Sequence, residues 1–237
     1  MYWHNELFKE KNYHLNKTEE CLNKNVHLIH IYEDDWLYKQ DIVKSRILNL
    51  LGKSKKVYAR KTEIKEVSSK DSKRFLNDNH IQGNVNSKVK LGLYSGNILV
   101  SLMTFGGLRK NLGQVSKEGS WELLRFCNLK GHSVVGGASR LFKYFKQNYL
   151  PKEVISYADR SWSKGGLYEN LGFYKEYSTS SNYYYVIDGV RENRFKYRKD
   201  VLVKEGYDPS FTEHEIMLSR DSYRIYDSGS IKYSKRY

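Results

Sequence analysis

Between Trp121 and Phe173 the chain repeats one pattern twice: a strand-like run, a glycine turn, then a helix-like run. No other stretch restricts the fold as much, because strand, tight turn and helix repeated in that order build an α/β layer. In the first copy Trp121, Leu123 and Cys127 alternate with Leu124 and Phe126, and Gly136-Gly137 opens a helix-period segment with Leu141, Phe142, Tyr144 and Phe145. In the second, Pro151 ends that helix, and Val154, Ile155 and Tyr157 form a short buried strand. Asp159 falls at its carboxyl end, where ligands of α/β sheets gather. Gly165-Gly166 then opens a helix with Leu167, Tyr168 and Leu171, closed by Gly172, so Asp159 and Tyr168 are expected to face one pocket. Glycines ahead of a helix let its unpaired N–H groups approach an anion. A plain loop entering a helix fits the same spacing.

The runs SVVGGASRLF, ISYAD and LYENLGF resemble the core of the GNAT acyltransferase superfamily, over about residues 57–188. The resemblance implies a donor, acyl-CoA or another molecule, held at Gly136, Gly137 and Ala138. It also implies that Tyr168 protonates the leaving thiolate. Ser133 stands where that family has Gln or Arg. Trp121, Glu122, Leu123 and Arg125, with Ser139, Tyr157, Asp159, Gly166 and Tyr168, are similar to the Mom-like branch of phage DNA-modification proteins. That likeness implies catalytic roles for Ser139, Asp159 and Tyr168.

YWHNE, with the run from Lys11 to Trp36, resembles the C-terminal half of Vsr-like nucleases, and the whole chain resembles phage homing-endonuclease-like proteins. This implies DNA cleavage with Mg²⁺ and a catalytic His4. The aspartate that binds metal in that family has no counterpart here, so the metal ligands stay unassigned. Glu33, Asp34 and Asp35 read more simply as the charge group of a helix N-terminus. The expected fold is α/β (α+β). It comprises a truncated Vsr-like, PD-(D/E)xK-type fragment over 1–52, a GNAT-like mixed sheet with flanking helices over 53–188, and a basic extension over 189–237. Lys53 to Lys56 read as a basic, linker-like break between the first two.

Lys and Arg number 41 against 27 Asp and Glu, a formal charge of +14, which favours an acidic polymer, DNA above all, as partner. No apolar run of membrane-spanning length occurs, so no membrane partner is expected. The 2 cysteines exclude a disulfide framework, and with no apolar signal core in MYWHNELFKEK the expected location is the cytoplasm, which the resemblance to phage proteins implies is that of an infected bacterial host. Arg191, Arg194, Lys196, Arg198 and Lys199 crowd around Phe195 and Tyr197 as phosphate contacts, joined by Arg109 and Lys110 in a basic loop.

Along the remainder, the pattern predicts a strand over 26–32 and an amphipathic helix with Trp36, Val43, Ile47, Leu50 and Leu51 on one face. A strand over 57–67 follows, then a helix capped by Ser68 and Asp71, and a hairpin of 88–94 with 97–105. Residues 183–187 are expected to close the sheet as its last strand. Two functions remain open: an endonuclease, degenerate for want of its aspartate, and a transferase acting on DNA bases or another acceptor.

Overall fold

The computed structural model describes residues 1–108 and 117–237; Arg109 and Lys110 lie outside the described residues. The chain falls into two compact units, each assembled from separate stretches. The first comprises Met1–Tyr38, Asp159–Lys164 and Ser178–Ile231, the second Lys39–Ala158, Gly165–Tyr177 and Lys232–Tyr237. The divisions expected at 52 and 188 follow composition along the chain, whereas the units gather stretches distant in sequence.

The second unit is built on a seven-stranded mixed sheet. In spatial order its strands are β2 (Glu63–Glu66), β3 (Val89–Ser95), β4 (Ile98–Gly106), β5 (Ser120–Asn128), β7 (Glu153–Asp159), β12 (Ser230–Arg236) and β8 (Tyr174–Ser178). β2 to β5 are antiparallel neighbours, and β5 pairs with β7 in parallel. Two strands in parallel need a crossover, and the helix α5 (Gly137–Tyr149) supplies it. α5 buries Leu141, Phe142 and Phe145, with the Phe145 ring stacked 3.6 Å from that of Phe105 on β4. Each such side chain contributes about 2 kcal/mol of apolar burial. The helix α4 (Ser69–Asn79) starts at Ser68, whose side chain accepts from the Asp71 amide at 3.1 Å. α3 (Gln40–Leu50) and α6 (Gly166–Asn170) complete the helices of this unit.

The strand expected over 57–67 is two strands in two sheets. β1 (Lys55–Tyr58) pairs in parallel with β6 (His132–Val135), outside the main sheet. A 3-10 turn at Ala59–Lys61 separates β1 from β2, locked by the Thr62 hydroxyl donating to the Ala59 carbonyl at 2.6 Å. Side-chain capture of a backbone carbonyl offers the chain an alternative to the ladder.

In the first unit β9 (Tyr183–Ile187) lies between β10 (Val190–Asn193) and β11 (Arg224–Tyr226), all antiparallel. The helices α7 (Lys199–Lys204) and α8 (Glu213–Ser219) bury Leu202, Ile216 and Met217 against Tyr185. Thr212 and Glu215 form a capping box that starts α8. Residues 183–187 thus centre a separate small sheet instead of closing the large one, a place taken by β12 and β8.

Residues 1–52 do not form the expected α/β fragment. They hold α1 (Tyr13–Asn23), α2 (Glu33–Tyr38) and α3, and no strand of the described sheets comes from them. Residues 26–32 carry no regular structure and join no ladder among the described residues. Their anchors are single bonds, the His30 amide to the Ser161 carbonyl at 2.9 Å and the His30 Nε2–H to Thr18 at 2.7 Å. The expected single amphipathic helix breaks at Lys39 into α2 and α3. Val43 is fully buried while Trp36, Leu50 and Leu51 are exposed, so they share no buried face.

Candidate functional site

The parallel ladder between β5 and β7 is short. It covers Ser120 with Glu153, Trp121 with Val154 and Glu122 with Ile155, although β5 runs on to Asn128 and β7 to Asp159. Beyond Glu122 and Ile155 the two strands part. A backbone facing such an opening keeps donors and acceptors that need partners.

A hydrogen-bond chain stands at the point of parting. The Ser156 hydroxyl lies 2.8 Å from the Leu123 carbonyl and 3.0 Å from the Tyr168 hydroxyl. Each hydroxyl has one proton. The single Ser156 proton is shared between the Leu123 carbonyl and Tyr168, and the Tyr168 hydroxyl donates to the Tyr157 carbonyl at 3.4 Å. Tyr168 sits in α6, is 9% exposed, and stacks on Tyr233 with ring centroids 5.0 Å apart. Gly165 ahead of α6 has φ +94°, and a Cβ there would collide with the Tyr233 hydroxyl. Glycine is required twice over, for the turn and for the stack.

The other half of the site is the entry to α5. Gly136, at φ +75°, turns the chain from β6 into the helix, and a Cβ at Gly137 would press on Val134 Cγ1 at 3.0 Å. The first turn of α5 carries no acidic residue, and Gly136 and Ser139 are exposed. Its amides and dipole therefore present positive potential. Gly136, Gly137 and Ala138 stand at the head of the helix, where backbone N–H groups have no intrahelical acceptor. Ser139 adds a hydroxyl one residue further along. The Arg140 Nη1–H donates to the Ala59 carbonyl at 2.9 Å, tying the helix start to the 3-10 turn.

A cleft of about 270 Å³ in the same unit is lined by Asn86, Ser87, Lys88, Gly106, Gly107 and Leu124. The Ser87 hydroxyl there is buried and has no hydrogen-bond partner among the described residues.

The remaining expected residues lie in the first unit. Asp159 accepts from the Ser161 amide at 2.9 Å, and its carbonyl accepts from Trp162 and Ser163, the pattern of a residue capping a turn. Asp159 and Tyr168 belong to different units. His14 Nδ1 faces the Tyr226 carbonyl at 2.7 Å, so it carries the proton; His14 Nε2 then accepts from His4 Nδ1 at 2.9 Å. Burial holds both imidazoles below their usual value, with Lys9 and Lys17 adding to the effect. Among the described residues no group of three or more His, Cys, Asp or Glu is arranged to hold a metal ion.

Arg191 is an internal residue. Its guanidinium donates to Asp34 at 2.8 Å and Asp35 at 2.6 Å and lies 3.6 Å from the centre of the Tyr32 ring. Lys196 pairs with Glu192 at 2.7 Å and Arg198 with Asp200 at 3.4 Å, and Arg194 lies over Tyr183 and Phe195. Lys199 is exposed at the start of α7.

Sequence reasoning did not single out Ser156. A lone small polar residue in the apolar run VISYA was its signal, since a buried hydroxyl needs partners.

No family model and no curated protein matches the chain. Among solved structures it is similar to a Bacillus subtilis acetyltransferase in complex with CoA, at 8% identity and TM-score 0.42, over 75% of this chain and 99% of that one. It is similar to a GNAT family acetyltransferase from Elizabethkingia anophelis with acetyl-CoA bound, at 12% identity and TM-score 0.42, over 75% and 99%. An N-acetyltransferase from Staphylococcus aureus is similar at 11% identity and TM-score 0.42, over 74% and 98%. At these scores the likeness is remote, and the functional reading rests on the chain's own strand order and site.

Proposed function

We propose that the chain is a GNAT-like acyltransferase with an acyl-CoA donor. The observation that carries this reading is the parting of the parallel strands β5 and β7 beside the glycine-headed helix α5. An extended, amide-bearing arm completes backbone hydrogen bonds where a ladder has opened, as an added strand does. A pyrophosphate suits the amides of Gly136, Gly137 and Ala138. When bound, the donor supplies an activated acyl group as a thioester. Tyr168 holds a proton where the strands part, oriented by Ser156, and acts as the general acid. Ser139 borders the donor turn. The cleft lined by Ser87 and Lys88 offers a polar corner for an acceptor.

The endonuclease reading is not carried further, since residues 1–52 supply neither the expected strand nor a metal-ligand cluster.

The test is release of free thiol from acetyl-CoA with a panel of amines, and separately with DNA, as acceptors. The native chain turns over with at least one acceptor. Tyr168→Phe lowers kcat by about 100-fold while the unfolding midpoint stays close to native. Equal rates for the two proteins, or no CoA binding by the native chain, would overturn the proposal.

A further inference from the structure

The positive charge is divided unequally. The first unit carries 14 Lys and Arg against 17 Asp and Glu, the second 27 against 10, so the second holds more than the whole excess of +14. Within the second unit the densest cationic stretch runs through the two-stranded sheet β1–β6 and the 3-10 turn after it. Lys53, Lys55, Lys56, Arg60 and Lys61 are all exposed, and no acid occurs between Lys53 and Thr62. Among the described residues none of the five makes an ion pair.

The pleat sorts this small sheet into two faces. Register pairs Lys56 with Ser133 and Tyr58 with Val135 on one face, and Val57 with Val134 on the other. Val134 is buried at 6% exposure, whereas Tyr58 and Val135 are each 45% exposed. The outward face thus holds an exposed aromatic and an exposed aliphatic side by side, with Lys56 next along and the Arg60 guanidinium 5.6 Å from the Tyr58 ring centre. Free cations around an open aromatic ring offer what a nucleic-acid strand needs: cations for its phosphates and a ring on which a base can stack.

We infer that the outward face of β1–β6, with the turn Ala59–Lys61, is a nucleic-acid-binding surface, with Lys53, Lys56, Arg60 and Lys61 meeting phosphates and Tyr58 meeting a base; Lys55, exposed at the start of β1 on the other side of the pleat, adds to the positive potential beside it. Arg194, Lys196 and Arg198, which have partners within the first unit, take no part in it. The surface does not depend on the chain being an acyltransferase, and its test contains no acyl donor.

The test is fluorescence anisotropy of a labelled single-stranded oligonucleotide of about 20 nucleotides, and of its duplex, titrated with the full chain at several salt concentrations. Binding falls steeply with salt. The combined Lys55→Ala, Lys56→Ala, Arg60→Ala and Lys61→Ala variant binds at least about tenfold more weakly, and its salt slope flattens by about one for each phosphate no longer neutralised. Lys55→Gln with Lys56→Gln, a milder change at exposed positions, gives a smaller loss in the same direction. Tyr58→Ala weakens the single strand more than the duplex, and Arg194→Ala with Lys196→Ala stays within about twofold of native. Native affinity and slope in the combined variant would overturn the inference, as would native chain that fails to bind at low salt. Binding of 3′,5′-adenosine bisphosphate, lost in the combined variant, with no oligonucleotide binding, would overturn it too, assigning these cations to a nucleotide's phosphates instead.

Discussion

Residues 53–61 and 191–199 look alike on paper: each gathers five cations, around Tyr58 in the first and around Phe195 and Tyr197 in the second. In the folded chain they are opposites. Arg191 is answered by Asp34 and Asp35, more than 150 residues earlier, and Lys196 and Arg198 by acids a few residues away. The cations of 53–61 have no such answer among the described residues. A basic run therefore says little about partners until the acids that fold against it are known. In the run expected to contact phosphates Arg191 is tied to buried acids, and the run that read as a linker is the open one.

Stability measurements break or sharpen this contrast. The largest effect is expected for Arg191→Met, which takes the guanidinium away from the buried carboxylates of Asp34 and Asp35 and costs about 3–5 kcal/mol. A chemical-denaturation midpoint close to native would contradict an internal role. Gly165→Ala comes next, at about 2–4 kcal/mol, from strain at φ +94° and collision with Tyr233. Thermal unfolding of that variant tests whether the Tyr168–Tyr233 stack needs the glycine.

Two groups of the first unit give opposite responses to pH. Burial, with His14 and Lys17 nearby, pushes His30 down to about 4 from its usual 6.5. A lowered imidazole pKa means the fold prefers the neutral ring, so this contribution is intact above pH 6.5 and lost as pH falls toward 4. Discounted for the ring's partial exposure to solvent, it is worth about 1–2 kcal/mol, and His30→Gln should flatten the loss. Asp227 is raised to about 6 from 3.8, chiefly by burial, although the Asn182 and Gly229 amides donate to it at 2.8 Å. Its ionisation therefore costs stability as pH rises through 6, by about 2 kcal/mol. Asp227→Asn keeps an acceptor for both amides and should match native at pH 4 and exceed it at pH 8. Equal stability at pH 8 would show that Asp227 ionises without cost. The smallest effect is expected for Lys55→Ala with Lys56→Ala, within about 0.5 kcal/mol; a larger loss would mean these lysines also have a structural role.

How much was legible follows from the range of the forces involved. The hairpin β3–β4, the capped start of α4, β5, α5, β7 and α6 were readable because local patterns specify them: alternation, a capping serine, glycines at positive φ. Residues 26–32 misled because a strand is defined by its neighbour, and among the described residues no strand pairs with them. The 57–67 run misled because Thr62 captures a carbonyl and diverts the chain between two sheets. At the site, Gly136, Gly137 and Tyr168 were visible as turn and helix residues. Ser156 and the Leu123 carbonyl were not, since their meeting depends on how far β5 and β7 stay paired.

The central claim is that a donor fills the opening between β5 and β7 and lies on the start of α5. Hydrogen exchange of the full chain, read by peptide mass spectrometry with and without CoA, tests it most directly. The account predicts added protection confined to residues 123–128 and 136–140. Unchanged exchange at saturating CoA, or protection only in the first unit, would contradict it.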